Sequence, residues 1–256
     1  MYNIMKKYMF FIVLIIISVI IIIYCKIMYK KKYKYEYHCI NMRKSKDRWE
    51  YIQHFCYTNN LKINRYNAYD GNKLNKKKLI HHKILHPYSN INPGQIGCAF
   101  SHVKLWEKCK KSNNDYFIIL EDDVIINKDI DYHVNYIFNN APNNWDIIFI
   151  GGCDIKGKHI NKNFIIPTSY NNRHNLCTHA FILNKKKLDK MINFIKPIEY
   201  PIDNQLRINY ENMNVYYYHK NIVTQNNNFE STISDVKDND LILWKKNKQH
   251  LISVVD

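Results

Sequence analysis

The amino-acid sequence predicts an α/β fold preceded by one N-terminal transmembrane helix. The range Tyr8–Cys25 has no charged side chain, and with Met28 and Tyr29 as its flank it is long enough to span a bilayer. Beyond it, apolar runs typical of strands alternate with apolar residues at helical spacing, which is the pattern of an α/β domain. One of these runs, YFIILEDDVII at Tyr116–Ile126, contains three adjacent acids.

Length and composition set the size of the globular part. The chain has 256 residues, of which 46% are hydrophobic, and this suits one anchor and one domain of about 220 residues. The formal net charge is +16, and much of it reflects an abundance of residues with AT-rich codons. The alternative is a preference for anionic partners such as membrane surfaces or phosphorylated substrates. The lysines occur in scattered short runs without a nucleic-acid-binding motif, so nucleic acid is not an expected partner.

Five segments are predicted along the chain. They are a short N-terminal tail (1–7), the transmembrane anchor (8–29), a basic stem (30–36), a globular domain (37–234) and a polar C-terminal tail (235–256). The anchor has no clear small-residue cleavage site, so we interpret it as an uncleaved, single-pass anchor.

Three observations favour a cytoplasmic orientation of the globular domain. More lysines follow the anchor than precede it, which points to the following side by the positive-inside rule. The Asn-rich chain contains no Asn-x-Ser/Thr sequon. The cysteines follow no disulfide-framework spacing, so we expect free thiols. A lumenal orientation, in the endoplasmic reticulum or Golgi, is the alternative.

The first predicted elements follow from apolar spacing and turn residues. Tyr37–Asn41 reads as a strand, and Arg43–Cys56 has apolar residues at helical spacing. Ile63–Tyr69 is predicted as a second strand that ends at the turn signal Asp70-Gly71. Leu74–Pro87 is rich in Lys and His and is expected to be irregular or weakly helical.

A longer helix is predicted to begin at Asn92-Pro93-Gly94-Gln95. Asn92 can cap the helix, Pro93 suits its first position and Gln95 occupies the capping-box position. An apolar stripe then runs down to about residue 111, and its members are Ile96, Ala99, Phe100, Val103 and Trp106.

The later strands are continuous apolar runs. Phe117–Leu120 ends at the three acids, and Trp145–Ile150 is closed by two glycines. Such runs are typical of central strands that are covered on both faces. Thr178–Leu183 is predicted as a further strand, with a helix over Lys186–Ile195 and a late strand at Val215–Tyr218.

The acids Glu121, Asp122 and Asp123 stand at the carboxyl end of a strand, where open α/β sheets bind their ligands. Strand geometry points Glu121 and Asp123 to one side and Asp122 to the other. Adjacent carboxylates repel unless a cation lies between them, and a divalent ion with hard oxygen ligands fits. The alternative is that these acids are turn residues or helix caps.

The block PGQIGCAFSHVKLW, followed after a short gap by FIILEDDVII, resembles glycosyltransferase family 25. The family pattern is a Gly-x-x-Gly-Cys-x-x-Ser-His helix and then a strand that ends in Leu-Glu-Asp-Asp. The family includes bacterial lipooligosaccharide galactosyltransferases and collagen hydroxylysine galactosyltransferases. The matching residues are Gly94, Gly97, Cys98, Ser101, His102, Leu120, Glu121, Asp122 and Asp123.

Further motifs of that family follow in the same order. The matching residues are Ile40, Asn41, Arg43, Arg48, Ala68, Asp70, Gly71, Trp145, Asp146, Pro201, Asp203, Gln225, Ser231 and Ile233. Thr232 departs from the usual Asp of the C-terminal motif, which leaves the ligand contacts of that loop open.

The resemblance implies a GT-A-type fold, in which a Rossmann-like mixed sheet is flanked by helices. It implies transfer with inversion from a UDP-hexose, typically UDP-galactose, to a hydroxyl of a glycan or a protein, as in lipopolysaccharide biosynthesis. It also implies a divalent ion, Mn²⁺ or Mg²⁺. Glu121 and Asp123 are predicted to hold that ion, with Asp122 turned to a neighbouring hydrogen-bond donor.

An inverting transfer needs a general base, and Asp203 is the first candidate because the family's Pro-x-Asp places an acid there. Asp154, beyond the glycine pair, is the second candidate. The alternative for Asp203 is to cap a helix over Gln205–Tyr210.

Several further residues are predicted to bind the sugar donor. Two arginines suit the geometry of a diphosphate but could equally be surface residues. The Asp-Gly pair is also a routine turn, and a helical histidine is often simply packed. Cys98 is expected to be a packed core residue. The predicted donor-binding residues are Asn41, Arg43, Arg48, Asp70, Gly71, His102 and Asp122.

Two other functions are compatible with the sequence. A metal-dependent phosphoesterase or nuclease would also use carboxylates at strand ends and a basic surface. A catalytically degenerate family member would only bind glycan or partner proteins. Replacement of Asp123 separates an enzyme, which loses turnover, from a binder, which keeps its partner.

Overall fold

The computed structural model describes residues 9, 12, 14–20, 33–168, 174, 175 and 177–229. The chain divides after Tyr33 into two units. In the first unit residues 14–20 are helical, and no helix within the described ranges combines the length and the apolar character needed to cross a bilayer. The predicted anchor falls largely outside the described residues and the C-terminal tail wholly outside them, so both stay predictions. Residues 33–36 of the predicted stem are described, and Tyr35 and Glu36 already belong to the first strand of the domain.

The second unit is a mixed α/β domain built on a sheet of eight strands, as the described residues show it. The strand order is β2-β1-β3-β8-β5-β9-β7-β6. The strands are β1 (Tyr35–Asn41), β2 (Ile63–Asn67), β3 (Tyr116–Glu121), β5 (Ile147–Phe149), β6 (Gly157–His159), β7 (Phe164–Pro167), β8 (Ala180–Asn184) and β9 (Val215–Tyr218). Two short strands, β4 (Val124–Ile126) and β10 (Val223–Gln225), form a separate antiparallel pair.

Strand direction brings several carboxyl ends to one end of the sheet. β1 is parallel to both β2 and β3, while β8 runs antiparallel to β3 and to β5. The carboxyl ends of β1, β2, β3 and β5 therefore meet at the same end, where β8 begins. Asn41 and Glu121 terminate two of these neighbouring strands.

Six helices accompany the strands in the described part of the domain. They are α1 (Lys46–Thr58), α2 (Lys76–His81), α3 (Pro93–Cys109), α4 (Ile130–Asn140), α5 (Leu188–Ile195) and α6 (Ile202–Arg207). The core lies between the sheet and α3, α5 and α6, and its largest fully buried side chains include Trp106, Phe149 and Phe181.

The predicted start of α3 is confirmed in detail. The side chain of Asn92 accepts a hydrogen bond from the Gln95 backbone N–H at 2.9 Å, and the Gln95 side chain accepts one from the Asn92 backbone N–H at 2.9 Å. This reciprocal capping box satisfies two backbone donors at the start of the helix. Every member of the predicted apolar stripe is buried.

Some elements were not anticipated from the sequence. Helix α4 carries buried apolar residues at helical spacing, including Ile130, Val134 and Ile137, so a signal for it was present. Strands β4, β6 and β10 have three residues each and are too short to show a period. Their place in the structure depends on their pairing partners: β4 pairs with β10, far away in sequence, and β6 pairs with the neighbouring β7.

The loop that follows β2 is docked tightly against helix α3. An added Cβ on Gly71 would lie 1.6 Å from the Pro93 carbonyl oxygen, and one on Gly97 would lie 2.7 Å from the Tyr69 carbonyl oxygen. Ser101 Oγ accepts a hydrogen bond from the Tyr69 backbone N–H at 2.8 Å. The two glycines therefore allow backbone to meet backbone, because no side chain fits between them.

Candidate functional site

The three acids lie in a pocket at the shared carboxyl end of the strands. Glu121 is the last residue of β3, and Asp122 and Asp123 lead into β4. The pocket is completed by the end of β1, the loop after β2 and one face of α3. Its lining residues include Ile40, Arg48, Tyr69, Asp70, Gly71, Cys98, Ser101, His102, Glu121, Asp122 and Asp123.

Asp122 is buried and paired on both carboxylate oxygens. Arg48 NH1 donates to Asp122 Oδ1 at 2.7 Å, and Asn41 Nδ2 donates to Asp122 Oδ2 at 2.6 Å. Arg48 is itself a buried residue of α1, and its NH1 also lies 3.8 Å from Asp123 Oδ2. These contacts compensate the charge of Asp122, which would otherwise be costly to bury.

Glu121 turns in another direction, towards α3 and β8. Thr178 Oγ1 donates to Glu121 Oε1 at 3.0 Å, and His102 Nε2 lies 3.4 Å from the same oxygen. Burial alone would raise the pKa of Glu121, but the hydrogen bond and charge of His102, together with the charge of His179 and the hydroxyl of Thr178, lower it overall. Glu121 is therefore held as an anion.

Asp123 is the least compensated of the three acids. Gln225 Nε2 donates to its Oδ2 at 3.3 Å, while its buried Oδ1 has no hydrogen-bond partner within the part of the chain that the structure describes. Burial, reinforced by the negative charge of Glu121, raises the pKa of Asp123 to about 6. A cation beside Asp123 would remove that penalty. The two carboxylates of Glu121 and Asp123 are hard oxygen ligands and fit a divalent ion.

Asp203 lies in the first turn of α6, and its Oδ1 accepts a hydrogen bond from the Asn204 backbone N–H at 2.8 Å. Burial raises the pKa of Asp203, and the charge of Glu121 adds to that rise, so the two carboxylates lie close enough to interact. Pro201 occupies the N-cap of α6, so the predicted capping role of Asp203 for a helix over Gln205–Tyr210 is wrong.

The other predicted donor-binding residues differ in position. Asp70 and Gly71 line the pocket, but Asp70 accepts a hydrogen bond from the Asn72 backbone N–H at 3.1 Å and caps a short 3-10 helix. His102 is fully buried beside Glu121. Arg43 is exposed and lines a different, shallow depression with Trp49 and Arg65, so the structure does not bring it to the acids.

Asp154, the second candidate base, is exposed and does not line the pocket of the acids. Its carboxylate is paired with His174, and its backbone has a positive φ of 47°. Asp203 does not line that pocket either, but burial raises its pKa and the charge of Glu121 adds to the rise, whereas Asp154 is exposed.

The expectation of free thiols is wrong for one pair of cysteines. Cys153 and Cys177 form a disulfide, with their Cα atoms 5.8 Å apart. They are 24 positions apart in sequence, and the strand order brings them together. Spacing alone could not show this pairing. The cysteines that are free, as expected, are Cys39, Cys56, Cys98 and Cys109.

Two residues at the site were seen in the sequence only as parts of motifs. Thr178 holds Glu121, and Gln225 holds Asp123. A third, Phe229, lies with its ring 5.4 Å from the Arg48 guanidinium carbon and had no sequence signal. The predicted C-terminal contacts of Ser231, Thr232 and Ile233 lie outside the described residues.

A mixed α/β sheet with an acidic pocket at its strand carboxyl ends places this protein among the α/β proteins that bind ligands at that position. The chain belongs to glycosyltransferase family 25: the model of the family described as "Glycosyltransferase family 25 (LPS biosynthesis protein)" matches residues 35–206. That match contains the described acids, α3 and Asp203.

Curated relatives agree with this family. Procollagen galactosyltransferase 2 of Homo sapiens is 27% identical over 126 residues, which are 44% of this chain and 20% of that protein. A glycosyltransferase 25 family member of Aedes aegypti is 24% identical over 200 residues, 72% of this chain and 30% of that protein. Lipooligosaccharide biosynthesis protein lex-1 of Haemophilus influenzae is 40% identical over 45 residues, 18% of this chain and 15% of that protein. The matches thus cover at most 30% of the length of these relatives.

The chain also shows a low similarity to two solved structures. One is a glycosyltransferase involved in the glycosylation of the major capsid of PBCV-1, with 10% identity, a TM-score of 0.37 and coverage of 63% of this chain and 64% of that chain. The other is S. aureus TarS 1-349, with 13% identity, a TM-score of 0.40 and coverage of 75% and 60%. Because both scores are low, the family assignment rests on the sequence match.

The buried pair of Arg48 and Asp122 predicts a large coupling in stability. Arg48→Met leaves the Asp122 charge buried without its cation, so we expect the free energy of unfolding to fall by about 3–5 kcal/mol. The double variant R48M/D122N should lose less than the sum of the two single variants, because the charge of position 122 is then removed together with its cation. Urea unfolding of the detergent-solubilised chain, followed by circular dichroism, measures all three.

The control for this prediction is an exposed ion pair of the same domain. Lys110→Met removes the surface pair with Asp189 and should cost less than about 1 kcal/mol. A loss for R48M no larger than that of K110M, or strict additivity in the double variant, would contradict the interpretation of a buried, coupled pair.

Proposed function

We propose that this family member transfers a hexose, specifically galactose, from a UDP-sugar to a hydroxyl group of a glycan or a protein, with inversion at the sugar. The observation that carries the proposal is the unequal treatment of three adjacent acids. Asp122 is neutralised by protein groups, whereas Asp123 retains a buried oxygen without a partner in the described chain. Such a site favours a bound cation and, through it, a phosphorylated ligand.

In this proposal Glu121 and Asp123 hold Mn²⁺ or Mg²⁺. When bound, the ion offsets the negative charge that develops on the departing diphosphate. Arg48 and Asn41 contribute indirectly, because they hold Asp122 and so position the adjacent acids. Thr178, just before β8, and Gln225, at the end of β10, orient the two remaining carboxylates.

Asp203 is proposed as the general base that accepts the proton of the acceptor hydroxyl. Its pKa is raised by burial, and a carboxylate with a raised pKa is a stronger base than an exposed one. The Asn204 backbone N–H holds one of its oxygens at 2.8 Å. Asp154 is less suited because it is exposed and paired with His174.

The choice of galactose and of the acceptor class follows from the family and from the names of relatives. One relative is named procollagen galactosyltransferase and another lipooligosaccharide biosynthesis protein. They support a galactose donor with either a protein or a glycan acceptor. A GT-A-type arrangement of the sheet and anchoring of the chain in a membrane by residues 8–29 are parts of the same proposal.

The donor and the metal can be tested together on the purified full chain. With Mn²⁺ present, we expect UDP-galactose to be hydrolysed or transferred faster than GDP- or CMP-sugars, and chelation should abolish the reaction. Asp123→Asn should lower kcat by about 10²-fold or more, because electrostatic stabilisation of the leaving group is lost. The rate at which each donor releases its nucleotide, UDP in the case of UDP-galactose, is measured.

Asp189→Asn is the matched control for that experiment, because Asp189 is an acid on the surface of α5. It should keep the activity of the unchanged chain. Cleavage of phosphodiesters or phosphomonoesters without any preference for sugar nucleotides would instead support the phosphoesterase alternative. Glycan binding without turnover in the unchanged chain would support the degenerate family member.

The role of Asp203 predicts a specific kinetic signature. Asp203→Asn keeps an oxygen that can accept from the Asn204 backbone N–H, so the fold should survive. We expect kcat to fall by about 10²–10⁴-fold, with little change in the KM for the donor. The acidic limb of the pH profile should also disappear, because that limb reports loss of the base by protonation. An unchanged limb, or a loss confined to KM, would assign catalysis to another group.

We further propose that the domain works in an oxidising compartment, which is the lumenal alternative of the sequence-based orientation. The supporting observation is the Cys153–Cys177 disulfide, since such bonds form and persist where thiols are oxidised. Thiols of the protein in its native membranes are blocked before lysis, and its peptides are mapped by mass spectrometry. We expect a linked Cys153–Cys177 peptide and a blocked Cys56, which is a free and partly exposed thiol. Blocked Cys153 and Cys177 would place the domain in the cytoplasm.

A further inference from the structure

A second set of ligand atoms lies beside the acids, on the helix side of the pocket. Cys98 and His102 are one helical turn apart on α3 and so face the same way, and Glu121 approaches them from the end of β3. The thiol sulfur, an imidazole nitrogen and a carboxylate oxygen all lie within 4.8 Å of one another. We call these three residues the thiol–imidazole cluster.

The chemistry of this cluster differs from that of the carboxylate pair. Hard oxygen ligands alone suit Mg²⁺ and Mn²⁺, whereas a thiolate, an imidazole and a carboxylate together select Zn²⁺ and similar ions. Tetrahedral Zn²⁺ with bonds of about 2.0–2.3 Å places its ligand atoms roughly 3.5 Å apart. The His102 Nε2 to Glu121 Oε1 separation of 3.4 Å already matches that spacing.

We propose that Cys98, His102 and Glu121 form a binding site for a thiophilic divalent cation of the Zn²⁺ class. Three protein ligands leave a fourth coordination position for water or a ligand in the pocket. Binding displaces the proton of the Cys98 thiol, which leaves with solvent, so the sulfur coordinates as thiolate.

The local surroundings favour a site over mere packing. His102 is fully buried, but its contact with Glu121 is at the long end of hydrogen-bond distances. Cys98 and Glu121 both line the pocket, so an ion can reach them without opening the core. The other group with metal-ligand spacing, Cys153, Cys177 and His179, has its two sulfurs joined in a disulfide and offers no thiolate.

The cluster shares Glu121 with the proposed site for Mn²⁺ or Mg²⁺. An ion bound by the thiol and the imidazole takes a ligand from that site, and the two ions repel. We therefore expect Zn²⁺ to inhibit the transferase by competition for Glu121. This consequence rests on the proposed function, whereas the existence of the cation site does not.

Cobalt reports on the site directly because a thiolate bound to Co²⁺ gives a charge-transfer band in the near ultraviolet. The full chain, in detergent, without a histidine tag and without thiol reductant, is titrated with Co²⁺ and then with Zn²⁺. We expect one Co²⁺ per chain with the charge-transfer band, and displacement of the band by Zn²⁺. Co²⁺ bound only to carboxylates would show no such band, and its absence would overturn the proposal.

Cysteine variants locate the ion. Cys98→Ser should abolish the band, while Cys56→Ser, a free and half-buried cysteine of α1, should keep it. The double variant C153S/C177S should also keep it. Loss of the band in that double variant with retention in C98S would place the ion at the disulfide pair and overturn the assignment.

A second variant tests the same site independently, in case C98S does not fold. His102→Gln removes the imidazole but leaves the thiol, and it should weaken Zn²⁺ binding by at least about 10-fold, the lower range found even for outer partners of metal sites. Unchanged Zn²⁺ affinity in H102Q, with a native circular dichroism spectrum, would contradict the proposal.

Inhibition of the transferase by Zn²⁺ provides an independent test. At saturating UDP-galactose and a half-saturating concentration of Mn²⁺, Zn²⁺ should inhibit the unchanged chain and should inhibit C98S at least about 10-fold less strongly. Equal inhibition of both would assign the effect to Zn²⁺ bound at the carboxylate pair of Glu121 and Asp123 and refute inhibition through the thiol–imidazole cluster. If no transfer is observed at all, the proposed function fails, while the cobalt titration still decides the cation site.

Discussion

The site depends on how the protein compensates three carboxylates at the end of a buried strand. Burial of even one unpaired charge is costly, and adjacent like charges add to that cost. The buried guanidinium of Arg48 and the side-chain amide of Asn41 compensate the buried charge of Asp122. Because these groups come from α1 and β1, the pair also ties the first βα unit to the end of β3. The position of the whole pocket follows from that contact.

The remaining two acids are compensated less completely, and the difference has chemical meaning. Glu121 has a histidine and a threonine beside it, whereas Asp123 has one amide hydrogen bond, the Arg48 guanidinium at 3.8 Å and a raised pKa. Groups with perturbed pKa values collect at functional sites because burial and like charges are tolerated there for the sake of binding. A bound cation supplies what the described protein groups do not.

Helix α3 shows how one sequence motif serves two purposes. Gly97 and Ser101 both face the loop after β2. Gly97 leaves room for the backbone of that loop, and Ser101 accepts a hydrogen bond from it. Cys98 and His102, one position further along, face Glu121. The motif thus joins a structural face and a chemical face of one helix. Gly71 belongs to the structural side, since its close approach to Pro93 leaves no room for a side chain.

Much of the fold and the site was predictable because local chemistry expresses it. The capping box at Asn92 and the buried strand before Glu121 are local patterns, and the structure reproduces both. The three-residue strands β4, β6 and β10 were not predictable, because a strand of that length has no period and forms through its partner, whereas β5 lies within a longer apolar run. The sequence also could not predict the exposed position of Arg43, because an arginine near a helix start has the same sequence pattern whether it faces the pocket or solvent.

By itself the sequence determined the α/β class, the family and the acids that matter, since periodicity, capping residues and motif order are properties of the chain. Only the tertiary structure decided how each acid is paired, that Cys153 meets Cys177, and that Asp154 is exposed while burial raises the pKa of Asp203. The physical reason is that these facts depend on which strand carboxyl ends lie side by side. That adjacency arises from strand order and direction, which bring together residues far apart in sequence.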